Sequence, residues 1–139
     1  MSEGLLRGQR VLLVEDNGAQ ARQFSNLLKK AGAVVVGPAK TVAAAERLVA
    51  NGNFAVAWLD VCLDEGGGEG ARVWPVARLL DSLGVPFLFC TSAPGEAELA
   101  KWPGRPIVSK PLRTHKAQQD ILALLVELIA GTARTAAKV

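Results

Sequence analysis

The chain has 139 residues, of which 50% are hydrophobic and 21% are charged, and its formal net charge is +3. This length is typical of one domain, and the hydrophobic fraction provides the core that a disordered chain lacks. No uncharged apolar run reaches the roughly 18 residues of a membrane helix, and the positive charge is spread along the chain, so we expect neither a membrane nor a nucleic-acid partner.

Three apolar runs alternate with two helical patterns in the first part of the chain. The runs are typical of buried strands and cover residues 11–14, 34–36 and 54–59. Gly37-Pro38 is expected to stop the second strand. Each helical pattern follows a residue that can cap a helix and ends near a glycine: Asn17 with Gly32, and Thr41 with Gly52.

A glycine-rich segment, residues 65–70, follows the third strand, and its entropic cost in regular structure predicts a loop. Pro75 suits the first turn of a helix over residues 74–83. Two further strands are predicted at 85–90 and 106–108. The segment between them, residues 92–105, carries prolines and glycines that allow a helical turn but not a full helix.

Thr114 is expected to cap a last helix that ends near Ala130, leaving residues 131–139 as a frayed tail. This helix carries a second apolar stripe: Leu122, Val126 and Ile129. A monomer would leave that stripe in water, so we expect a homodimer through the last helix. The two cysteines and the absence of an apolar signal core near the first residue predict a cytoplasmic protein with reduced thiols.

Strands that alternate with helices predict an α/β fold, a doubly wound parallel sheet with helices on both faces. Binding sites in such sheets form at the carboxyl ends of the strands. The residues found there are Glu15 and Asp16 after the first strand, Asp60 after the third, Thr91 after the fourth and Lys110 after the fifth. Three carboxylates in one crevice repel each other, and their oxygens suit Mg²⁺. An aspartate there can accept a phosphoryl group.

At these positions the chain resembles the receiver domain of two-component response regulators. The matching motifs are Val11-Leu12-Leu13-Val14-Glu15-Asp16-Asn17, Leu59-Asp60-Val61, Phe89-Cys90-Thr91-Ser92 and Ser109-Lys110-Pro111. The resemblance covers residues 8–130. It implies a CheY-like, flavodoxin-like (βα)5 sheet with strand order 2-1-3-4-5 and an irregular fourth helix.

The resemblance also implies a role for each site residue. Asp60 would be the phosphoacceptor and would bind Mg²⁺ together with Glu15 and Asp16. Cys62 would give its backbone carbonyl to the metal. The residues that would contact the phosphoryl group are Thr91 and Lys110.

A narrower resemblance points to the FAT GUY receivers. Their Pro-Phe-x-Phe-Ala-Thr-Gly signature is similar to Pro86-Phe87-Leu88-Phe89-Cys90-Thr91, although Cys90 and Ser92 depart from its alanine and glycine. These receivers often stand alone and work with sensor histidine kinases of the HWE or related groups. The resemblance therefore implies such a kinase and an unknown downstream protein as partners.

Together these features predict a single-domain response regulator that is no enzyme but assists its own phosphorylation and dephosphorylation. Two alternatives stay open. One is a pseudo-receiver, an interaction module that is never phosphorylated. The other is an aspartyl-nucleophile phosphatase of the haloacid-dehalogenase type, which requires an aspartate two residues after the nucleophile, where this chain has Cys62.

Overall fold

A computed structural model of the protein describes residues 4–137. Within this range one parallel sheet has the strand order β2-β1-β3-β4-β5. Its strands are β1 (Arg10–Val14), β2 (Val34–Ala39), β3 (Val56–Leu59), β4 (Phe87–Thr91) and β5 (Ile107–Ser109). The helices are α1 (Gly18–Lys30), α2 (Val42–Asn51), α3 (Asp64–Gly67), α4 (Trp74–Ser82) and α5 (His115–Ala137), with a 3₁₀ helix at Ala97–Lys101. The predicted doubly wound fold and its strand order are confirmed.

The two central strands are buried on both faces, which explains their continuous apolar sequences. β1 and β3 pair in register, with Leu12 opposite Ala57 and Leu13 opposite Trp58. Because successive side chains of a strand point to opposite faces, these pairs build two separate cores. Leu12 and Ala57 pack with residues of α2 and α4, while Leu13 and Trp58 pack with residues of α1 and α5.

The predicted helix caps are confirmed. Each side-chain oxygen accepts a hydrogen bond from the backbone three residues later: Asn17 from Gln20 at 2.9 Å, Thr41 from Ala44 at 3.0 Å and Thr114 from Ala117 at 3.0 Å. These bonds satisfy amides that the first turn of a helix leaves without an internal partner. Three helices therefore begin where local sequence places them.

The prediction that β2 stops at Gly37-Pro38 is wrong, because β2 continues to Ala39. β2 is an edge strand of the sheet, where a proline without an N–H is tolerated. Gly37 has a φ of 104°, and a Cβ there would lie 2.8 Å from the Leu13 carbonyl oxygen. The glycine thus lets the strand pass close to β1 with a shift in register instead of ending.

The glycine-rich segment is not wholly irregular, contrary to the prediction. It begins with the single-turn helix α3. The carboxylate of Asp16 accepts hydrogen bonds from the backbone of Glu65 and Gly66 and so pins the first turn. A Cβ on Gly66 would lie 2.1 Å from the Lys40 carbonyl oxygen, so only glycine allows this close packing. A tertiary contact therefore offsets the entropic cost that predicts a loop.

The irregular helix that the resemblance implies between the last two strands is the 3₁₀ helix Ala97–Lys101, not the helix labelled α4. Leu99 of this helix is buried. The centroid of the Trp102 ring lies 5.8 Å from that of Phe87 and 6.2 Å from that of Phe89. The segment is therefore anchored to β4 by apolar contacts.

The last helix is longer than predicted, because α5 passes Ala130 and runs to Ala137. Residues 131–137 are helical, residues 138–139 lie outside the described residues, and fraying of this end stays a prediction. A glycine inside a helix costs only about 1 kcal/mol, which the turn around Gly131 tolerates. The Thr132 hydroxyl donates to the Leu128 carbonyl at 3.1 Å. Among the described residues, neither α5 nor any other helix is long and apolar enough to span a membrane.

The second apolar stripe of α5 is not left in water, contrary to the prediction. Leu122 is 0% exposed, and Val126 and Ile129 are half-buried. The turn before β1 brings Leu6, itself fully buried, into the same apolar cluster. The cover thus comes from residues that precede the first strand. A homodimer through this helix stays a prediction.

Candidate functional site

Polar residues from four strand ends line one cavity of about 420 Å³ at the carboxyl edge of the sheet: Glu15, Asp16, Asp60, Thr91 and Lys110. The backbone hydrogen bonds of the sheet continue through them. Asp60 N–H donates to the Val14 carbonyl at 2.9 Å, and Lys110 N–H donates to the Thr91 carbonyl at 2.8 Å. The sheet therefore holds these side chains together, as the order of the strand ends predicts.

The acidic side chains form a compact buried cluster. Glu15, Asp16 and Asp60 each offer a carboxylate oxygen, and these oxygens lie within 4.8 Å of one another. All three residues are buried, Glu15 completely. Hard oxygen donors that converge in this way fit Mg²⁺, which binds through one or two carboxylates and keeps waters for a phosphate oxygen.

Lys110 is the cation at the centre of the site. Its Nζ lies 2.7 Å from a Glu15 carboxylate oxygen, 3.2 Å from an Asp60 carboxylate oxygen and 2.7 Å from the Gln20 amide oxygen. Burial by itself lowers the pKa of Lys110, but the hydrogen bond to Glu15 and the charges of both acids raise it above its usual value. No sequence pattern identifies Gln20 as a site residue, because its contact with Lys110 depends on how α1 packs against the sheet.

Burial raises the pKa of Asp60 to about 8, and the Glu15 charge adds to this rise. Lys110 acts in the opposite direction without cancelling it. Asp60 is 4% exposed, so water screens little of the repulsion. A divalent cation would oppose this rise and favour the ionised form of Asp60, which can act as a nucleophile.

The N-terminus of α3 orients Asp16. The Asp16 Oδ2 atom accepts from the Glu65 N–H at 2.7 Å and from the Gly66 N–H at 3.3 Å. Asn17 adds two contacts, because its backbone N–H donates to Glu15 at 3.1 Å and its side-chain amide donates to Glu65 at 3.2 Å. The second Asp16 oxygen can then face the acidic cluster.

Thr91 and Cys62 line the same cavity. The Thr91 hydroxyl oxygen accepts from the Ala93 N–H at 3.0 Å, and a hydroxyl that accepts can also donate its proton to a ligand. The Cys62 thiol donates to Asp64 at 3.0 Å, and burial followed by this bond raises the thiol pKa. The Cys62 side chain is thus engaged away from the acidic cluster, and the role of its carbonyl stays a prediction.

An ion-pair network lies at the cavity rim, and no sequence pattern predicts it. Arg72 Nη1 lies 3.2 Å from an Asp64 carboxylate oxygen, and Arg72 Nε lies 3.2 Å from a Glu96 carboxylate oxygen. Arg72 and Glu96 have no periodic or motif signal, since they follow a glycine-rich segment and a Pro-Gly turn. Only the packed fold brings these two loops together.

No protein-family model and no curated protein matches the chain. Among solved structures, the non-phosphorylated HemR receiver domain of Leptospira biflexa is 26% identical, with a TM-score of 0.68, over 85% of this chain and 93% of that chain. The receiver domain of the PhyR response regulator of Erythrobacter litoralis is 22% identical, with a TM-score of 0.68, over 94% and 93%.

The receiver domain of the sensor histidine kinase PA1611 of Pseudomonas aeruginosa PAO1 is 18% identical, with a TM-score of 0.72, over 88% and 98%. That structure has a magnesium ion coordinated in its active-site cleft. The Bartonella quintana anti-anti-sigma factor PhyR is 21% identical, with a TM-score of 0.73 over 91% of this chain, which spans 50% of that longer chain. These neighbours share the fold described above.

Proposed function

We propose that this chain, whose structural neighbours include receiver domains of response regulators and of a sensor histidine kinase, accepts a phosphoryl group on Asp60 with the help of Mg²⁺. The observation that carries the proposal is the buried cluster of Glu15, Asp16 and Asp60, with Lys110 in contact with two of these acids. This arrangement brings together a carboxylate that can act as a nucleophile, acidic side chains that can bind a metal ion, and a lysine that can neutralise the phosphoryl oxygens. These are the parts that phosphoryl transfer requires.

The proposed transfer takes a phosphoryl group from the phosphohistidine of a sensor histidine kinase. An Asp60 carboxylate oxygen attacks the phosphorus, the phosphorus–nitrogen bond breaks, and the imidazole leaves and regains a proton from solvent. Lys110 neutralises charge on the phosphoryl oxygens, and the Thr91 hydroxyl donates a hydrogen bond to one of them. When bound by Glu15 and Asp16, Mg²⁺ would offset the repulsion between Asp60 and the incoming group.

Several finer points stay predictions within this proposal. They are the assistance that the protein gives to its own dephosphorylation, a kinase of the HWE type, signalling by contact with a downstream protein without an attached output domain, and a cytoplasmic location. The FAT GUY assignment is of the same kind. Each depends on partners or on surroundings outside the described fold.

Intact-protein mass spectrometry with a small phosphodonor tests the proposal. The wild type should gain one phosphoryl group with Mg²⁺ and none with a chelator, and Asp60→Asn should gain none. Asp64→Asn is the matched control, because Asp64 lines the same cavity but lies at its exposed rim. A full phosphoryl gain by Asp60→Asn would contradict the assignment of Asp60 as the acceptor. No gain by the wild type with Mg²⁺ would contradict the proposal and favour a pseudo-receiver.

A further inference from the structure

Arg72 is a second cation in the lining of the Asp60 cavity, and its backbone position is well defined. It lies opposite Cys62 in an antiparallel bridge. Two flanking hydrogen bonds hold this pairing: Leu63 N to Ala71 O at 3.0 Å, and Val73 N to Val61 O at 3.0 Å. Arg72 is thereby anchored beside the residue that comes two positions after Asp60.

The Arg72 guanidinium connects this anchor to the segment after β4. One nitrogen contacts Asp64 and another contacts Glu96, each at 3.2 Å. Glu96 directly precedes the 3₁₀ helix Ala97–Lys101. Arg72 and Glu96 both line the cavity, and their side chains are 33% and 25% exposed, so neither is locked in the core. The pair therefore ties the start of the 3₁₀ helix to the cavity.

The charge balance of the cavity leaves a role for Arg72. Its lining holds six carboxylates, those of Glu15, Asp16, Asp60, Asp64, Glu65 and Glu96, against the two cations Arg72 and Lys110. Lys110 is already bound by Glu15 and Gln20. A phosphoryl group adds nearly two negative charges, and a guanidinium matches phosphoryl oxygens with two parallel donors.

Building on the function proposed above, we propose that Arg72 is a second cationic contact of the phosphoryl group on Asp60 and that it gives up Glu96 to make this contact. A phosphoryl group is the stronger partner, because it carries more charge than one carboxylate and accepts two guanidinium hydrogen bonds. Glu96 is then released, and the start of the 3₁₀ helix loses its ion pair with Arg72. Phosphorylation would thereby change segment 92–105 directly.

Titration with beryllium fluoride in the presence of Mg²⁺, followed by tryptophan fluorescence, tests this proposal. Arg72→Gln should weaken binding about tenfold, because charge-assisted hydrogen bonds are lost. Glu96→Gln should tighten binding about threefold, since Arg72 no longer has this competing partner. Glu98→Gln is the matched control. Glu98 lies in the same 3₁₀ helix and pairs at 2.8 Å with Lys101, so its loss should change nothing.

The double variant Arg72→Gln/Glu96→Gln separates competition from a general effect of charge. If Glu96 acts by competing for Arg72, the double variant binds like Arg72→Gln alone. If Glu96→Gln tightens binding equally in the Arg72→Gln background, Glu96 acts only through its field and the proposal is overturned. Arg72→Lys, which keeps the charge but not the two-donor fork, should bind between Arg72→Gln and the wild type.

Amide exchange provides a second readout on the same proteins. Exchange over residues 97–102 should be faster in wild type with beryllium fluoride, and already faster in Glu96→Gln without it. A wild type that neither gains a phosphoryl group nor binds beryllium fluoride contradicts the proposed function as a whole. A wild type that binds it, while Arg72→Gln binds equally well, overturns only the role of Arg72.

Discussion

Replacing Asp60 with asparagine is expected to stabilise the metal-free protein at alkaline pH. The fold buries the Asp60 carboxyl beside Glu15, and this raises its pKa from 3.8 to about 8. Asparagine keeps the shape of the side chain and removes its charge. Lys110 is not left without partners, because Glu15 and Gln20 each remain 2.7 Å from its Nζ.

The magnitude follows from the pKa of Asp60. Because its folded-state pKa is raised, the folded protein binds the proton more tightly than the unfolded chain does. The free energy of unfolding is therefore unaffected by Asp60 below about pH 4, falls as the pH rises to about 8, and then levels off. At about 1.4 kcal/mol for each pKa unit, the fall is at most about 6 kcal/mol. Structural relaxation and water entry reduce this cost, and we expect about 2 kcal/mol.

Urea unfolding with a chelator, followed by tryptophan fluorescence, measures this effect at about pH 5 and about pH 8.5. The advantage of Asp60→Asn over the wild type should be larger at the higher pH. Asp64→Asn is the matched control: the hydrogen bond from Cys62, followed by the charge of Arg72, lowers the pKa of Asp64. Its ionised form is favoured by the fold, so its loss should not stabilise the protein.

Equal stability differences at the two pH values, or an Asp60→Asn variant less stable than the wild type at the higher pH, would refute this reasoning. Mg²⁺ provides a further check. A cation that binds only the folded acidic cluster stabilises the wild type by mass action. Adding Mg²⁺ should therefore reduce the advantage of Asp60→Asn.

Two further predictions concern packing. Gly66→Ala places a Cβ 2.1 Å from the Lys40 carbonyl oxygen, so α3 must shift away from Lys40, which disturbs the hydrogen bonds from Glu65 and Gly66 to Asp16. We expect urea unfolding to show a loss of about 1–3 kcal/mol. Gly95→Ala meets open space and should be near neutral; equal effects of the two substitutions would contradict this account of Gly66. For the homodimer, sedimentation over a concentration series should show association that Val126→Glu, at the half-buried part of the α5 stripe, abolishes. A wild type that stays monomeric at high micromolar concentration would show that the cover by Leu6 is sufficient.

Local signals in the sequence predict the alternation of strands and helices and place the site residues at the strand ends, whereas the strand order is implied by the resemblance to receiver domains. Buried parallel strands are apolar throughout, and side-chain oxygens at Asn17, Thr41 and Thr114 begin helices within three residues of themselves. Once the strands are parallel, the residues after them must meet at one edge. Glu15 and Lys110 therefore meet across 95 positions of sequence without any local signal for their contact.

Features that depend on contacts between distant loops follow from tertiary packing and have no signal in the sequence. The α3 turn exists because the Glu65 N–H reaches an Asp16 oxygen 49 residues away, and the tie to the 3₁₀ helix exists because Arg72 reaches Glu96 across 24 residues. Leu6, from before the first strand, lines one cavity with Val126 and Ile129 of the α5 stripe. Periodicity and caps report the preferences of neighbouring residues. At α3 and at the apolar stripe of α5, contacts between residues distant in sequence outweigh those local preferences.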